Sequence, residues 1–266
     1  MGTFLLSHGL SIDSCLEELN LKRPSLILEI HRSYVAAGAE AIVANTFGAN
    51  RPRLTTHSKQ KYLSPINRAG VRLAKRAAGK LPVFASIGPL GREAKKMSSR
   101  QMFRLFKEQA ACLEMEKPFG YLIETMPSLG EAEAATVAVR EISKRPIFTL
   151  MTFPLGFKKA RGETLELIAS TLRAAGADVI GVNCGKGPDE SYTLMKALSL
   201  VDSGPLCVRP AAGLPGHRIS PEEFASWGVK FKKLGCDWIG GCCGTNPDYI
   251  RELRNQLSHV SNNRIR

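Results

Sequence analysis

The sequence has no run of 18 consecutive apolar residues, and its start has neither a basic stretch nor a long apolar core. A membrane-spanning helix and a secretory signal are therefore not expected. No linker or low-complexity stretch divides the 266 residues, of which 44% are hydrophobic and 23% charged, as in globular proteins. The seven cysteines are odd in number and, without an export signal, are expected to be reduced. We expect one cytoplasmic domain over residues 1–266, with a frayed tail at 258–266.

Acidic residues are scarce between positions 51 and 110, where 15 Lys or Arg residues accompany two acids, Glu93 and Glu108. This segment accounts for the whole formal net charge of +13. Within it, Arg72 and Arg76 recur at helical spacing opposite apolar positions, which is typical of a solvated outer helix face. No aromatic residues interleave with these charges as a base-stacking platform requires, so nucleic acid is not the expected partner. A solvated face and a docking face for an acidic partner remain the two interpretations.

Short apolar runs rich in β-formers alternate with helical patterns along the whole chain. The predicted strands are Thr3–Ser7, Ala41–Phe47, Pro82–Gly88, Gly120–Thr125, Pro146–Phe153, Val179–Cys184, Pro205–Pro210 and Trp238–Cys242. The predicted helices are Pro24–Ala37, Lys59–Gly79, Ser98–Lys117, Ser128–Lys144, Glu163–Ala175, Pro188–Val201, Pro221–Leu234 and Pro247–Leu257. Eight strand–helix units in a chain of this length favour an α/β fold that is a single (β/α)8 TIM barrel over an open doubly wound sheet.

Three cysteines lie where predicted strands end. Cys184 ends the sixth strand, and Cys242 and Cys243 lie in the glycine-rich segment Gly240–Gly244, where the eighth strand ends. The carboxyl ends of barrel strands meet at one rim, so these residues are expected to converge. Adjacent cysteines on a regular strand would point to opposite faces, and the glycines allow the backbone to leave that conformation. Three thiolates with an open fourth position are what a catalytic zinc ion requires.

Other roles for the cysteines have to be weighed against zinc. A buried cysteine often serves as a small apolar residue, and we assign that role to Cys112, Cys207 and Cys236. Cys242 and Cys243 could instead form a vicinal disulfide, or the glycine-rich turn could cradle a phosphate. A reducing compartment disfavours the disulfide, and a phosphate loop has no need of two thiols. Zinc is therefore the preferred interpretation.

Several polar residues are predicted on the same rim. Glu124 follows an apolar run at the end of the fourth strand, where a carboxylate can hold a substrate ammonium group. Asn45 and Thr46 lie at the end of the second strand and His8 at the end of the first, which makes all three candidates for substrate binding. Asn45 could equally be a turn residue, and His8 a structural histidine.

These motifs resemble those of the homocysteine S-methyltransferase family over nearly the whole chain. The matching segments are Ala44–Asn50, Ser86–Pro89, Ile123–Met126, Gly181–Cys184, Ala211–Pro215 and Gly240–Thr245. The resemblance implies a zinc-bearing (β/α)8 barrel in which Cys184, Cys242 and Cys243 bind the metal. It also implies that Glu124 contacts the amino group of homocysteine.

The sequence departs from the family at Ala211, where asparagine is usual, and more seriously in its first strand. The family's first strand ends in a turn similar to "DGAMGT", whose aspartate helps to bind the amino acid. We align Leu6–Asp13 with this turn, so that Ser7 or His8 stands where the aspartate belongs. This alignment predicts an intact metal site beside an altered amino-acid clamp, and hence weakened homocysteine binding.

The resemblance implies a methyltransferase that moves a methyl group to a thiol, homocysteine giving methionine, through a zinc-bound thiolate. The methyl donor is either a small molecule (S-methylmethionine or a betaine) or a separate corrinoid protein, because the barrel accounts for the whole chain. The altered turn motivates an alternative function. In that case the chain is a zinc-binding subunit of a corrinoid methyl-transfer system, acting on another thiol or with weak activity of its own.

Overall fold

The computed structural model describes residues 1–7, 9–11, 13–153, 164–213 and 218–262. Within these residues, seven parallel strands form one sheet in chain order. The strands are β1 Ile42–Val43, β2 Val83–Ile87, β3 Gly120–Met126, β4 Ile147–Met151, β5 Val179–Cys184, β6 Leu206–Pro210 and β7 Trp238–Ile239. The α-helices are α1 Gly2–Ser7, α2 Leu19–Lys22, α3 Pro24–Ala36, α4 Arg51–Thr56, α5 Leu63–Ala78, α6 Ser99–Glu114, α7 Leu129–Ile142, α8 Leu165–Ala174, α9 Pro188–Val201, α10 Pro221–Leu234 and α11 Pro247–Asn262. Short 3-10 helices cover Leu16–Glu18, Gln60–Tyr62 and Arg92–Lys96.

The sheet curls strongly, as contacts across its inner face show. In a flat sheet, β2 and β7 would lie about 24 Å apart, five strand spacings. The ring centroids of Phe84 on β2 and Trp238 on β7 are instead 5.9 Å apart, and Phe148 on β4 contacts both rings at 4.7 and 5.0 Å. These aromatic side chains fill the interior of a barrel-like sheet.

The helices cover the outer face of the sheet with their apolar sides. Val71 of α5, Phe106 of α6 and Met195 of α9 are fully buried in the large core between sheet and helices. Left-handed glycines end several helices as the sequence indicates, including Gly176 after α8 with φ 101° and Gly235 after α10 with φ 103°. These short connections return the chain to the amino end of each next strand.

Two predictions of local structure are wrong. The first predicted strand, Thr3–Ser7, is instead the helix α1, whose Leu5 is buried against Ile27 and Ile30 of α3, so the described sheet has seven of the eight predicted strands. The tail predicted to fray from Ser258 is helical as far as Asn262. Among the described residues, no helix is long and apolar enough to cross a membrane.

Candidate metal and substrate site

Three cysteine sulfurs converge at the carboxyl end of the sheet. The Sγ atoms of Cys184, Cys242 and Cys243 all lie within 4.8 Å of one another, and those of Cys184 and Cys243 are 3.6 Å apart. Strand β7 ends at Ile239, three residues before the predicted end at Cys242, so both later cysteines lie beyond the regular strand. Cys184 itself has a left-handed φ of 64°, an uncommon conformation for a residue with a Cβ. The backbone thus bends on both sides to bring the three sulfurs together.

The loop after β6 holds the two cysteine segments in place. The backbone N–H of Ala211 donates to the carbonyl of Cys184 at 3.1 Å, and that of Ala212 to the carbonyl of Cys243 at 2.8 Å. Gly244 closes the second segment with a φ of 81°, which a side chain rarely adopts. These main-chain contacts fix the spacing of the sulfurs from outside the cluster.

The cluster has the chemistry of a site for a soft metal ion. Hydrogen bonds from the thiols of Cys184 and Cys242 lower the pKa of Cys243, and the contacts of Cys184 with Cys242 and Cys243 raise the pKa of Cys184. All seven cysteines are free. Sulfur-rich sites of this kind select zinc and similar ions over calcium or magnesium. The three sulfurs are the only such group among the described residues.

Asn183 links the cysteine cluster to the end of β3. Its Oδ1 accepts from the backbone N–H of Thr125 at 2.7 Å, and its Nδ2 donates to the Thr125 hydroxyl at 2.8 Å. The same Nδ2 lies 3.5 Å from the sulfur of Cys242 and donates to it. Thr125 has a φ of 62° at a register shift in the pairing of β3 with β4. The amide therefore holds a strained residue and contacts a metal-ligand candidate at once.

Glu124, predicted to bind a substrate ammonium, points into the same end of the sheet. Its Oε1 accepts from the Ser86 hydroxyl at 2.6 Å, and its Oε2 accepts from Nη1 of Arg209 at 2.6 Å. Burial acts to lower the pKa of Arg209, but Glu124, together with Cys242 and Cys207, outweighs burial, so the pKa is raised. Sequence reasoning missed Arg209. The available signal is a charged residue inside the otherwise apolar strand β6.

Asn45 and Thr46, the other predicted substrate ligands, are buried and used by the protein itself. Nδ2 of Asn45 donates to the carbonyl of Leu16 and to Oδ1 of Asn20, both at 3.0 Å. The Thr46 hydroxyl donates to the carbonyl of Ser86 at 2.7 Å and accepts from its N–H at 3.0 Å. Both side chains join the end of β1 to its neighbours, so the structure gives them a positioning role instead of free donors.

His8 lies outside the described residues, and its expected position at a strand end is lost because α1 replaces that strand. The contact with the cysteine segment comes from an earlier residue. The backbone N–H of Gly244 donates to the hydroxyl of Thr3 at 3.2 Å. Met1-Gly2-Thr3 has the same letters as the end of the "DGAMGT" turn. The alignment of that turn with Leu6–Asp13 stays a prediction.

Cys112, Cys207 and Cys236 and the basic side chains of the outer helices lie away from the cluster. Cys207 and Cys236 are buried in apolar clusters, and Cys112 packs against another. Basic side chains on the outer helices pair with nearby acids, as Arg68 does with Glu116 at 2.7 Å. These pairs are typical of a solvated helix face.

A model of the homocysteine S-methyltransferase family matches residues 1–257. The chain is 29% identical to methionine synthase of Mycobacterium tuberculosis over 289 aligned residues, covering 98% of this chain and 24% of that protein. It is 29% identical to methionine synthase of Mycobacterium leprae, covering 95% and 23%. The chain thus spans about a quarter of the length of these curated relatives. Homocysteine methyltransferase MmuM from Escherichia coli in its metallated form has a similar fold, with a TM-score of 0.83 and 21% identity over 96% of this chain and 93% of that one.

Proposed function

The chain belongs to the homocysteine S-methyltransferase family, and we propose that it moves a methyl group to the sulfur of homocysteine, giving methionine. The observation that carries this proposal is the convergence of Cys184, Cys242 and Cys243 at the carboxyl end of the sheet, with Glu124 and Arg209 at the same end. A thiol needs activation to accept a methyl group at neutral pH, and a three-sulfur site suits that task.

The residues present fit a zinc ion. Cys184, Cys242 and Cys243 would hold it, and three protein ligands leave one tetrahedral position open. When bound, zinc supplies the positive charge that keeps an acceptor thiol ionised at neutral pH. The Asn183 amide, which donates to the Cys242 sulfur, favours the ionised form of that cysteine and fixes its orientation.

The chain's own residues then position the acceptor. The acceptor thiol loses its proton to solvent, and its sulfur lone pair attacks the methyl carbon. The bond between that carbon and the donor breaks, and the donor keeps the electron pair. Glu124, exposed over 9% of its side chain, borders the place of attack and offers a carboxylate to the ammonium group of homocysteine. The two hydrogen bonds between Asn183 and Thr125 hold the preceding residue, Glu124, in this position.

A single-turnover assay tests the proposal. Protein loaded with zinc is mixed with homocysteine and, in separate reactions, with methylcobalamin, S-methylmethionine or betaine. We expect methionine from at least one donor, and none from Cys243→Ser, while Cys112→Ser serves as the matched control and stays active. Zinc bound without methionine from any donor would favour the alternative function, a zinc-binding subunit in a corrinoid system.

A corrinoid protein as donor would dock at the end of the sheet that bears the cysteines. One part of the basic segment at that end is the 3-10 helix Arg92–Lys96, which follows β2. Reversing Lys95 and Lys96 to Glu should then weaken transfer, and 0.15 M salt should mimic the change because the Debye length falls to about 8 Å. Reversing Arg72 and Arg76 on the outer helix α5 is the matched control. A small-molecule donor would show neither effect.

A further inference from the structure

An ion pair closes the interior of the curled sheet at its carboxyl end. Two residues before Arg209 on β6, Cys207 packs in the apolar cluster that contains Phe84 and Phe148. Above this cluster, Nη1 of Arg209 donates to Oε2 of Glu124 at 2.6 Å. A largely buried ion pair is a poor source of stability, because removing each charge from water costs several kcal/mol. The pair therefore needs a functional explanation.

Arg209 keeps hydrogen-bonding capacity beyond this pair. A guanidinium carries five N–H donors, and within the described part of the chain the bond to Glu124 uses one of them. The Arg209 side chain is 20% exposed, and its other nitrogens are not among the buried polar atoms that lack a partner. The unused donors therefore face accessible space at the cysteine end of the sheet.

The ion pair lies beside the cysteine cluster. In the β5–β6 ladder, the Cα partner of Arg209 is Asn183, which directly precedes Cys184. Neighbouring strands are about 4.8 Å apart. Glu124 directly precedes Thr125, which makes two hydrogen bonds with the side chain of Asn183. An amino-acid thiol carries its charged head a few bonds from its sulfur, so a single molecule spans both places.

We propose that Arg209 binds the carboxylate of the acceptor while Glu124 binds its ammonium, so that the ion pair recognises the zwitterionic head of an amino-acid thiol. The proposal rests on the proposed function for the presence of the thiol at the cysteines. A guanidinium matches a carboxylate with two parallel hydrogen bonds. Because Ser86 also holds Glu124, both charges are positioned before the acceptor arrives. Arg209 is thus a specificity residue that separates amino-acid thiols from simple thiols.

Four thiols with the same spacing test this assignment by binding to the zinc-loaded protein in titration calorimetry. Homocysteine has both charges, 4-mercaptobutanoate only the carboxylate, 3-aminopropanethiol only the ammonium, and propanethiol neither. Arg209→Gln should weaken the two carboxylate-bearing thiols about ten- to a hundredfold, the usual worth of a hydrogen bond to a charged group. It should leave the other two unchanged. Arg209→Lys keeps the positive charge but cannot donate two parallel hydrogen bonds. Its affinity for the two carboxylate-bearing thiols should lie between those of the wild type and of Arg209→Gln.

Arg173→Gln is the matched control, since Arg173 also pairs with a carboxylate at 2.6 Å, that of Asp202, but on the outer helix layer. An equal loss for all four thiols, or no loss for any, would show that Arg209 is only structural. If Arg209→Gln does not fold, the wild type still decides. Equal affinities for 4-mercaptobutanoate and propanethiol would overturn the proposal, and a clear preference for the first would support it. Methyl transfer is measured separately, so its failure with every donor contradicts the proposed function and leaves an Arg209-dependent binding result standing.

Discussion

Charged side chains at the amino end of the sheet join neighbouring elements, whereas Arg209 at the carboxyl end keeps hydrogen-bond donors that the described chain does not use. Asp178 accepts from the backbone N–H of Ile147 at the start of β4, and Asp237 from that of Leu206 at the start of β6. Arg173 pairs with a carboxylate and also donates to three carbonyl oxygens. Arg209 at the other end has a single described partner residue. The difference agrees with barrels in which one face carries stability and the other chemistry.

Replacing the cysteines should give the largest effect. Cys184→Ser, Cys242→Ser and Cys243→Ser should each lose most of the bound zinc, about one ion per chain in the wild type, because a hydroxyl is a far poorer ligand than a thiolate. Metal analysis of the purified proteins measures this. Cys112→Ser, which changes a thiol packed on the outer layer, should keep its zinc. Full zinc retention in Cys243→Ser would remove the three-sulfur site.

Removing the hydrogen bonds of the Asn183 amide should give the next largest effect on the metal site. Asn183→Leu removes the two bonds to Thr125 and the donor to the Cys242 sulfur, and we expect zinc affinity or turnover to fall about ten- to a hundredfold. Asn67→Leu is a matched control, since Asn67 is an equally buried amide whose Nδ2 donates to the carbonyls of Ala49 and Leu63. It should cost stability without changing the zinc affinity of the folded protein. Equal zinc affinity in both variants would make Asn183 structural.

Elements with local signals could be predicted closely from the sequence. The helix predicted at Pro221–Leu234 has these bounds because the Ser220 hydroxyl accepts from the N–H of Glu223 and proline occupies the first helical position. The short apolar run Thr3–Ser7 has no such signal. A run of that length fits a strand or a helix equally well, and packing of Leu5 against α3 decides for the helix.

The site shows the same division. The cysteines could be predicted because strand ends and glycines mark them along the chain. The Glu124–Arg209 pair joins β3 to β6 across the interior and depends on how far the sheet curls, which the local sequence does not contain. The sequence makes Asn45 and Thr46 candidates for substrate binding because it does not show their partners. These partners, among them Asn20 and Ser86, come from other elements and use the side-chain donors of both residues.

The amino end should respond in stability and not in turnover. Asp178→Ala removes the side-chain acceptor of the Ile147 N–H and one of several acceptors of Arg140, and we expect a loss of about 1–3 kcal/mol in the free energy of unfolding. The methyl-transfer rate of the folded protein should not change. Glu124→Gln is the corresponding experiment at the carboxyl end. It should weaken the binding of homocysteine and leave the binding of a simple thiol unchanged. Urea denaturation and the thiol assay together measure both. A change in turnover for Asp178→Ala would contradict the division between the two ends.

The smallest effect at neutral pH is expected from His31, a buried residue of α3 whose Nε2 has no hydrogen-bond partner among the residues that the structure describes. Burial lowers the pKa of His31 to about 3 from its ordinary 6.5. Between these values the unfolded chain binds a proton that the folded chain does not, so stability should fall as the pH drops from about 6.5 towards 3 and stay constant above that range. His31→Leu removes the titrating group, and its stability should decline less between pH 6.5 and 4.5 than that of the wild type. Above this range the two proteins should differ little, because the ring nitrogen that is lost has no partner among the described residues.

His57→Gln, which changes a half-buried histidine at the end of α4, is the control. Thermal unfolding at steps of half a pH unit resolves the difference, and parallel curves for wild type and His31→Leu would show that His31 stays accessible to protons in the folded chain.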